Sequence, residues 1–265
     1  MKPVFALLTD FGLQDPYVGQ MKAVLLSRAG ECSILDISHA VRPQDVLQAG
    51  FFLASSWPYL PQGTICLAIV DPGVGTQRRI LILAKQGRLV LAPDNGLLTQ
   101  VMDLPGENRF YLPKNLAQGE SVSPTFHGRD VFAPLAASLA LESSLQAPGE
   151  PVSASHVMRL ALARPVQQGR EISSHVQHVD HFGNCILTLN LAKWSTGLLH
   201  LPEILLEQPQ QARLFPAQNY SSLPEGRVGL LPGSQGFLEL AVNQASCAKT
   251  LGLYLGAEVV FQLPE

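Results

Sequence analysis

Short apolar runs alternate with amphipathic stretches along the first part of the chain. The apolar runs predict buried strands at residues 4–9, 32–38, 64–70, 80–85 and 89–92. The stretches with helical spacing of apolar positions predict helices at residues 17–29, 44–56 and 130–143. Strands that alternate with helices predict an α/β fold, with a parallel sheet covered by helices on both faces. We therefore expect a Rossmann-like N-terminal domain over residues 1–164.

The pattern changes after residue 164, where RPVQQGR (164–170) resembles a linker. Beyond it, short apolar segments are separated by Gly, Pro and Asn, with little helical spacing. They predict strands at residues 171–180, 184–191, 227–233, 236–242 and 258–263. This texture is typical of a smaller all-β domain, a barrel or a sandwich, over residues 170–265.

Composition excludes several classes of function. The chain has 265 residues, of which 15% are charged, and a net charge of -3. Since no block of Lys and Arg is present, we expect no nucleic-acid partner. Acids or turn residues interrupt every apolar run before the ~18–20 residues that a membrane span needs, so no membrane association is expected. We interpret the apolar stretch that ends at Asp10 as a first strand, not a targeting segment.

The four cysteines are scattered along the chain and form no C-x-x-C pair. They are Cys32, Cys66, Cys185 and Cys247. Neither zinc ligation nor a disulfide framework suits this spacing. Buried free thiols in a cytoplasmic protein are the simpler interpretation.

Polar residues lie at or just beyond the carboxyl ends of the predicted strands of the first domain. They are Asp10, Asp36, His39, Asp71, Asp94 and Asn95. Any single Asp after a strand can be a turn residue or a helix N-cap. In an open parallel sheet, however, ligands bind beyond the carboxyl ends of the strands. The shared position of these residues therefore predicts a binding site at that edge.

The stretch AIVDPGVGTQRR (68–79) places an acid and a base on one tight loop. The strand carries Asp71 to the predicted ligand edge. Pro72, Gly73 and Gly75 turn the chain and leave room for a ligand, and Arg78 returns to the same edge. An ion pair that only fixes the loop remains an equal alternative.

A second polar fragment, SPTFHGRDVFAP (123–134), contains Phe126 and His127 before a predicted helix. His127 is either an exposed loop residue or a catalytic one. A metal site made of His127 and two acids has no characteristic ligand spacing. Neither G-x-G-x-x-G nor the P-loop pattern occurs, which argues against NAD or a nucleoside triphosphate.

Six fragments in a fixed order resemble one family, the S-adenosylmethionine (SAM) hydrolases. These enzymes are also called SAM hydroxide adenosyltransferases and are relatives of fluorinase and chlorinase. The fragments are LLTDFGLQDPYVGQMKAVLL, VDPGVGTQRR, APDNGLLT, TFHGRDVFAPLAA, VDHFGN and GSQGFLELAVNQAS. The resemblance implies an α/β domain followed by a β-barrel-like domain. It also implies a homotrimer, with each site between the N-domain of one subunit and the C-domain of the next.

The resemblance assigns roles to individual residues. Asp71, Arg78 and His127 match the set that surrounds the attacking water. Asp10 matches the acid that binds the ribose. The other residues implied to contact substrate are Phe126, Asp180, Phe182, Asn184, Tyr220, Ser234, Glu239 and Val242.

The chain departs from the halogenases in ways that favour water over halide. Those enzymes place tyrosine and threonine where this chain has Asp71 and Val74, and a Tyr-Ser pair where it has His127 and Gly128. An insertion after the APxNG region of the halogenases also has no counterpart here. Gly233 stands where the family pattern has an Asn before Ser234, which bears on how methionine is bound.

The implied reaction is attack of water on C5′ of the ribose, with methionine as the leaving group. Because a sulfonium leaves readily, neither a metal nor a cofactor is expected. The weak nucleophile needs a base, and the sequence leaves open whether Asp71 or His127 accepts its proton. The alternatives are a halide-dependent 5′-halo-5′-deoxyadenosine synthase, a non-catalytic adenosine or SAM sensor, and a metal-dependent hydrolase.

Overall fold

The structure, a computed structural model, describes residues 2–114, 122–141 and 148–264. It contains two compact units, Met1–Leu160 and Ala161–Glu265. The strands of the first unit are β1 (Val4–Thr9), β2 (Ser33–Ser38), β3 (Ile65–Ile69), β4 (Ile80–Lys85), β5 (Arg88–Pro93), β6 (Arg109–Leu112) and β7 (Glu150–Val152). Its helices are α1 (Tyr17–Ala29), α2 (Val46–Ser56), α3 (Thr99–Asp103) and α4 (Ala133–Leu141). The last two positions of the third predicted helix, 142–143, lie outside the described residues.

The seven strands form one sheet in the order β2-β1-β3-β5-β4-β6-β7. The neighbours β2, β1, β3 and β5 are parallel, as the alternating pattern predicts. From β5 onward, each neighbouring pair, β5–β4, β4–β6 and β6–β7, is antiparallel. Only Gln86 and Gly87 separate β4 from β5, and their positive φ angles of 49° and 69° suit a type I′ hairpin. A parallel pair would need a crossover of a dozen residues or more.

The sheet has a hydrophobic core on each face because successive side chains of a strand point to opposite sides. Phe5 and Leu7 of β1 pack on one face with residues of α1 and α4. Ala6 and Leu8 pack on the other face with residues of α2 and α3. Strands covered on both faces explain the unbroken apolar runs of the sequence.

The second unit is a closed barrel, which confirms the all-β prediction. Its strands are β8 (Val166–Gln168), β9 (Glu171–Val179), β10 (Cys185–Asn190), β11 (Ile204–Gln208), β12 (Ala212–Pro216), β13 (Val228–Pro232), β14 (Phe237–Val242) and β15 (Glu258–Gln262). Pairing of β9 with β10 closes a ring of strands, and β8 is added outside it on β9. Two short helices are present, α5 (Leu191–Leu198) and α6 (Cys247–Leu251).

Alternation along β14 separates the barrel interior from its outer face. Leu238, Leu240 and Val242 belong to the apolar interior. Glu239 and Ala241 face outward, since neighbouring residues of a strand point to opposite sides. A buried carboxylate, Glu239, is thereby placed on the outside of the barrel wall rather than in its core.

None of the described helices is long and apolar enough to cross a membrane.

Candidate active site

A cavity of about 260 Å³ lies at the carboxyl ends of β1 and β3. These strands are neighbours in the parallel part of the sheet, which is where ligands bind in open α/β folds. The residues that line the cavity are Asp10, Phe11, Gln44, Ile69, Asp71, Pro72, Val74, Thr125, Phe126, His127 and Gly128. The structure thus brings together Asp10, Asp71, Phe126 and His127, four of the residues singled out in the sequence.

Arg78 joins Asp71 to His127. Its Nε and Nη2 donate to Asp71 Oδ2 over 2.8 and 2.6 Å, and Nη2 also lies 2.8 Å from His127 Nδ1. The side chains of Arg78 and Asp71 are only 11% and 5% exposed. Little water competes for these contacts, so they are stronger than a surface ion pair. The ion pair that was one of two alternatives for this loop is present, and it extends to His127, which comes from a distant segment of the sequence.

The contact with Arg78 determines the protonation of His127. A guanidinium group has only donors, so His127 Nδ1 must supply a lone pair, and the proton of the neutral ring sits on Nε2. Burial lowers the pKa of His127, and the positive charge of Arg78 lowers it further against the opposing effect of Asp71 and Asp130. His127 is therefore a neutral hydrogen-bond donor through Nε2 at neutral pH.

Asp71 keeps capacity to accept another hydrogen bond. Its Oδ2 takes both N–H groups of Arg78, and its Oδ1 accepts the backbone N–H of Gly73 at 3.2 Å. Two carboxylate oxygens offer about four lone-pair positions, of which three are used. One position therefore remains for a water molecule or a substrate hydroxyl.

The glycines of the DPGVG loop let it pack closely against the segment that carries His127. Gly75 has φ +80°, and a Cβ there would lie 2.6 Å from the Pro124 carbonyl oxygen. Any other residue would strain the backbone and collide with this carbonyl. The backbone contact keeps the loop of Asp71 next to residues 124–127.

Asp10 is held at the cavity by the backbone of a second loop. Its Oδ2 accepts the N–H of Gln44 at 2.8 Å. Gln44 has a positive φ of 66°, unusual for a residue with a side chain. Phe11, Gln44 and Thr125 were not predicted as site residues, although Phe11 and Thr125 lie within quoted motifs. Nothing in the sequence reveals the backbone conformation that places Gln44 here.

The segment around His127 enters helix α4 through a π-helical turn, Gly128–Phe132. Such turns occur often at functional sites. A Cβ on Gly128 would lie 3.1 Å from Met21 Sδ and 3.3 Å from the rings of Phe11 and Phe126. The turn therefore packs on an apolar cluster that leaves little space for a side chain at position 128.

The remaining acids at this edge have structural partners. Arg79 Nε donates to Asp94 Oδ2 at 2.9 Å, and Asp94 Oδ1 accepts the N–H of Met158 at 2.8 Å. Asn95 Nδ2 donates to the Val70 carbonyl at 2.8 Å. Asp94 and Asn95 thus fix the ends of strands and do not line the cavity. Asp36 and His39 do not line it either.

In the barrel, the loop between β9 and β10 is a hydrogen-bonded turn organised by Asp180. Its Oδ1 accepts the N–H groups of Phe182 and Asn184 at 2.9 and 2.8 Å, and its Oδ2 accepts Asn184 Nδ2 at 2.9 Å. Gly183 takes a φ of +86° in the turn. Phe182 is 75% exposed and presents an open aromatic face. Such a face can stack on a flat heterocycle.

A buried acid lies beside this turn. Tyr220 donates its hydroxyl proton to Glu239 Oε1, and the two side chains interact electrostatically with Asp180. Burial raises the pKa of Glu239, and the negative charge of Asp180 raises it further, against the hydrogen bond from Tyr220. A Cβ on Gly233 would lie 2.7 Å from Glu239 Oε2, so the glycine leaves room for this carboxylate.

Ser234 and Val242 occupy different surroundings. Ser234 is exposed in the turn between β13 and β14, next to Gly233. The side chain of Val242 packs in the barrel interior. Any contact of Val242 with a substrate therefore falls to its backbone. The structure groups Asp180, Asn184, Tyr220 and Glu239 on the barrel.

A larger depression of about 580 Å³ lies at the β4–β5 hairpin, but among the described residues its lining contains neither an acidic residue nor a histidine. Its charged residue, Arg88, donates through Nε to the Leu60 and Pro61 carbonyls at 2.8 and 3.2 Å. Within residues 2–114, 122–141 and 148–264, no group of three or more His, Cys, Asp or Glu side chains is placed to hold a metal ion.

Comparison with known proteins agrees with the resemblance of the fragments. The SAM hydroxide adenosyltransferase N-terminal domain matches residues 5–149, and the C-terminal domain of the same family matches residues 174–260. An (R)-S-adenosyl-L-methionine hydrolase of Thermus thermophilus is 41% identical over 98% of this chain and 99% of its own. One of Salinispora tropica is 37% identical over 96% and 95%.

More distant similarity extends to a halogenase and to a solved structure. A fluorinase of Actinoplanes sp. is 28% identical over 97% of this chain and 96% of its own. The crystal structure of an uncharacterized conserved protein from Thermotoga maritima superposes with a TM-score of 0.88 at 30% identity, covering 97% of this chain and 99% of the other. Both family domains and relatives of this identity span nearly the whole chain, so this protein belongs to the SAM hydroxide adenosyltransferase family.

Proposed function

We propose that this protein hydrolyses SAM to adenosine and L-methionine by attack of water on C5′ of the ribose. The observation that carries the proposal is the Asp71–Arg78–His127 network beside a cavity that Asp10 also lines. The relatives named (R)-S-adenosyl-L-methionine hydrolases give the substrate class and suggest the R epimer at sulfur.

Asp71 is the proton acceptor in this proposal. His127 Nδ1 is engaged by Arg78 and its Nε2 carries a proton, so the neutral ring has no free lone pair. Asp71 retains one. Arg78 favours the developing hydroxide through its positive charge, and His127 orients the water by donating from Nε2.

The remaining residues bind the substrate. The Asp10 carboxylate can accept hydrogen bonds from both ribose hydroxyls at once. Phe182 offers an exposed face for adenine, and Asn184 can pair with the adenine edge. Asp180 and Glu239 provide negative charge for the methionine ammonium, with Ser234 near its carboxylate. Phe126, Tyr220 and the backbone of Val242 complete the proposed contacts.

We further propose a homotrimer in which each site joins the α/β unit of one subunit to the barrel of the next. The candidate residues fall into two groups on different compact units, which supports a shared site. Head-to-tail contacts around a closed ring generate such sites.

No metal or cofactor takes part in the proposed reaction, because the sulfonium departs as a neutral thioether and needs no Lewis acid. Activity should therefore persist in excess chelator. The four cysteines are free thiols, which supports a cytoplasmic location.

The decisive experiment is incubation with SAM in ¹⁸O-water, with and without chloride or fluoride. Adenosine labelled at its 5′-oxygen is the expected product in every case. A 5′-halogenated nucleoside as main product would establish the synthase alternative. Binding of SAM without turnover would establish the sensor alternative.

A further inference from the structure

Two residues that the sequence placed at the ligand edge, Asp36 and His39, belong to a separate chain of polar contacts, in which His39 is buried and Asp36 is exposed. Thr9 Oγ1 and His39 Nδ1 are 2.9 Å apart. His39 Nε2 lies 3.1 Å from Asp36 Oδ1, although its N–H is not well directed at that oxygen. Lys22 Nζ donates to Asp36 Oδ2 at 2.6 Å. This chain of contacts runs from the partly exposed Lys22 and Asp36 to the fully buried Thr9 at the end of β1.

The proton positions in this chain of contacts follow from the charges at its exposed end, where Lys22 pairs with Asp36. Burial opposes ionisation of Asp36, but Lys22 and His39 outweigh it and lower the pKa of the carboxyl. Asp36 is thus an acceptor, which favours a proton on His39 Nε2. His39 Nδ1 then accepts the hydroxyl proton of Thr9, and Thr9 Oγ1 is left to accept one N–H.

The buried end of this chain of contacts, at Thr9 and His39, holds the turn that carries Asp10. Thr9 Oγ1 accepts the N–H of Phe11 at 3.3 Å. The carbonyl of His39 accepts the N–H of Gly12 at 2.8 Å. The first bond spans Asp10 from Thr9 to Phe11, and the second holds Gly12, two residues after Asp10. Since Thr9 and His39 are buried and do not line the cavity, they act on a ligand only through this turn.

We infer that Thr9 and His39 are positioning residues for ribose binding, because they fix the turn that presents the Asp10 carboxylate to the cavity. The inference rests on the proposed function, in which Asp10 binds the ribose hydroxyls. When one carboxylate accepts hydrogen bonds from two hydroxyls, small displacements of its backbone disturb the geometry of both bonds. The hydroxyl of Thr9 matters most, since it bonds both His39 and Phe11.

Replacement of Thr9 by an isosteric residue isolates the hydroxyl. Thr9→Val keeps the β-branched shape in β1 but leaves Phe11 N–H and His39 Nδ1 without their partner. We expect KM for SAM and Kd for adenosine to rise about tenfold, the effect of about one lost hydrogen bond, and kcat to change less than about threefold. Thr9→Ser restores the hydroxyl and is expected to recover most of the lost affinity.

Ser38→Ala is the matched control. Ser38 Oγ accepts the N–H of Ala40 at 3.1 Å in the same loop as His39, without reaching Thr9 or the turn of Asp10. This variant removes one side-chain hydrogen bond of the same loop and should leave KM and kcat unchanged. Equal effects of Ser38→Ala and Thr9→Val would indicate general loop damage and overturn the inference.

A double-mutant cycle with Asp10→Ala tests the route of the effect. If Thr9 acts through Asp10, Thr9→Val should weaken adenosine binding by less than about twofold in the Asp10→Ala background. A full tenfold effect in that background would overturn the inference. So would unchanged adenosine affinity in the single variant, even while wild-type protein hydrolyses SAM.

Amide hydrogen exchange separates this inference from the proposed function. Thr9→Val should speed exchange at Phe11 and Gly12 while leaving the cores of β1 and β3 protected. If wild-type protein neither binds nor hydrolyses SAM, the proposed function fails. Independently of that result, unchanged exchange at Phe11 and Gly12 in Thr9→Val would reject the positioning role.

Discussion

Asp71→Asn tests the assignment of the proton acceptor. Asparagine keeps the size of the side chain and one acceptor oxygen, but it removes the charge and the basic lone pair. Of about four lone-pair positions on Asp71, Arg78 and Gly73 occupy three, so the reaction depends on the fourth. Loss of a general base costs ~10²–10⁴ in rate, which is about 2.7–5.4 kcal/mol of activation free energy.

We therefore expect kcat for adenosine formation to fall at least ~10²-fold in Asp71→Asn, with little change in the Kd for SAM. His127→Asn is the comparison, because the asparagine oxygen can replace Nδ1 as acceptor for Arg78 while the Nε2 donor is lost. Loss of one donor predicts a decrease of only about tenfold. Product is measured by chromatography of the nucleoside under single-turnover conditions.

Asp94→Asn provides the matched control for this pair of variants. Asp94 also accepts from an arginine, Arg79, but does not line the cavity. The Asp94→Asn variant therefore distinguishes the effect of losing an Asp–Arg ion pair from the effect of losing the catalytic base. A kcat for Asp71→Asn within threefold of wild type, or a larger decrease for His127→Asn than for Asp71→Asn, would refute the assignment.

Three further outcomes are expected. Burial and the charge of Arg78 lower the pKa of His127, so activity and folding stability should be constant at neutral pH and should decrease only below pH 6.5, the ordinary pKa of histidine. The pH dependence of kcat/KM and melting curves measured against pH check this. Gly233→Ala places a Cβ 2.7 Å from Glu239 Oε2, so thermal unfolding should show a loss of roughly 1–3 kcal/mol and kinetics a raised KM for SAM. Co-expressed Asp71→Asn and Asn184→Ala chains that mix at random into trimers should regain activity at about a quarter of all sites, whereas sites built within one chain would regain none.

The sequence predicted those elements whose apolar pattern was strong. β1, β3 and α1 were located closely because their burial on the sheet demands continuous apolar or helical spacing. β11 and β12 were missed, since each mixes buried with exposed positions over five residues. The antiparallel β4–β5 pair was signalled by the short Gln86–Gly87 connection, which the alternating pattern obscured.

The candidate site was only partly predictable from the residue pattern. Asp10 and Asp71 follow from the rule that parallel strands end at one edge. The contact of Arg78 with His127 does not, because it joins residues 49 apart through the strand order and a π-helical turn. The catalytic roles of Asp71, Arg78 and His127 and the substrate-binding roles of the barrel residues stay predictions.

The Asp71–Arg78–His127 network has a consequence for charge balance. A carboxylate, a guanidinium and a neutral imidazole sum to zero, so the network exerts little net attraction on a free anion such as chloride. In the proposed reaction, the substrate sulfonium loses its positive charge while Asp71 gains a proton. The total charge of the occupied site stays constant through the chemical step, and the network returns to electroneutrality only when that proton reaches solvent.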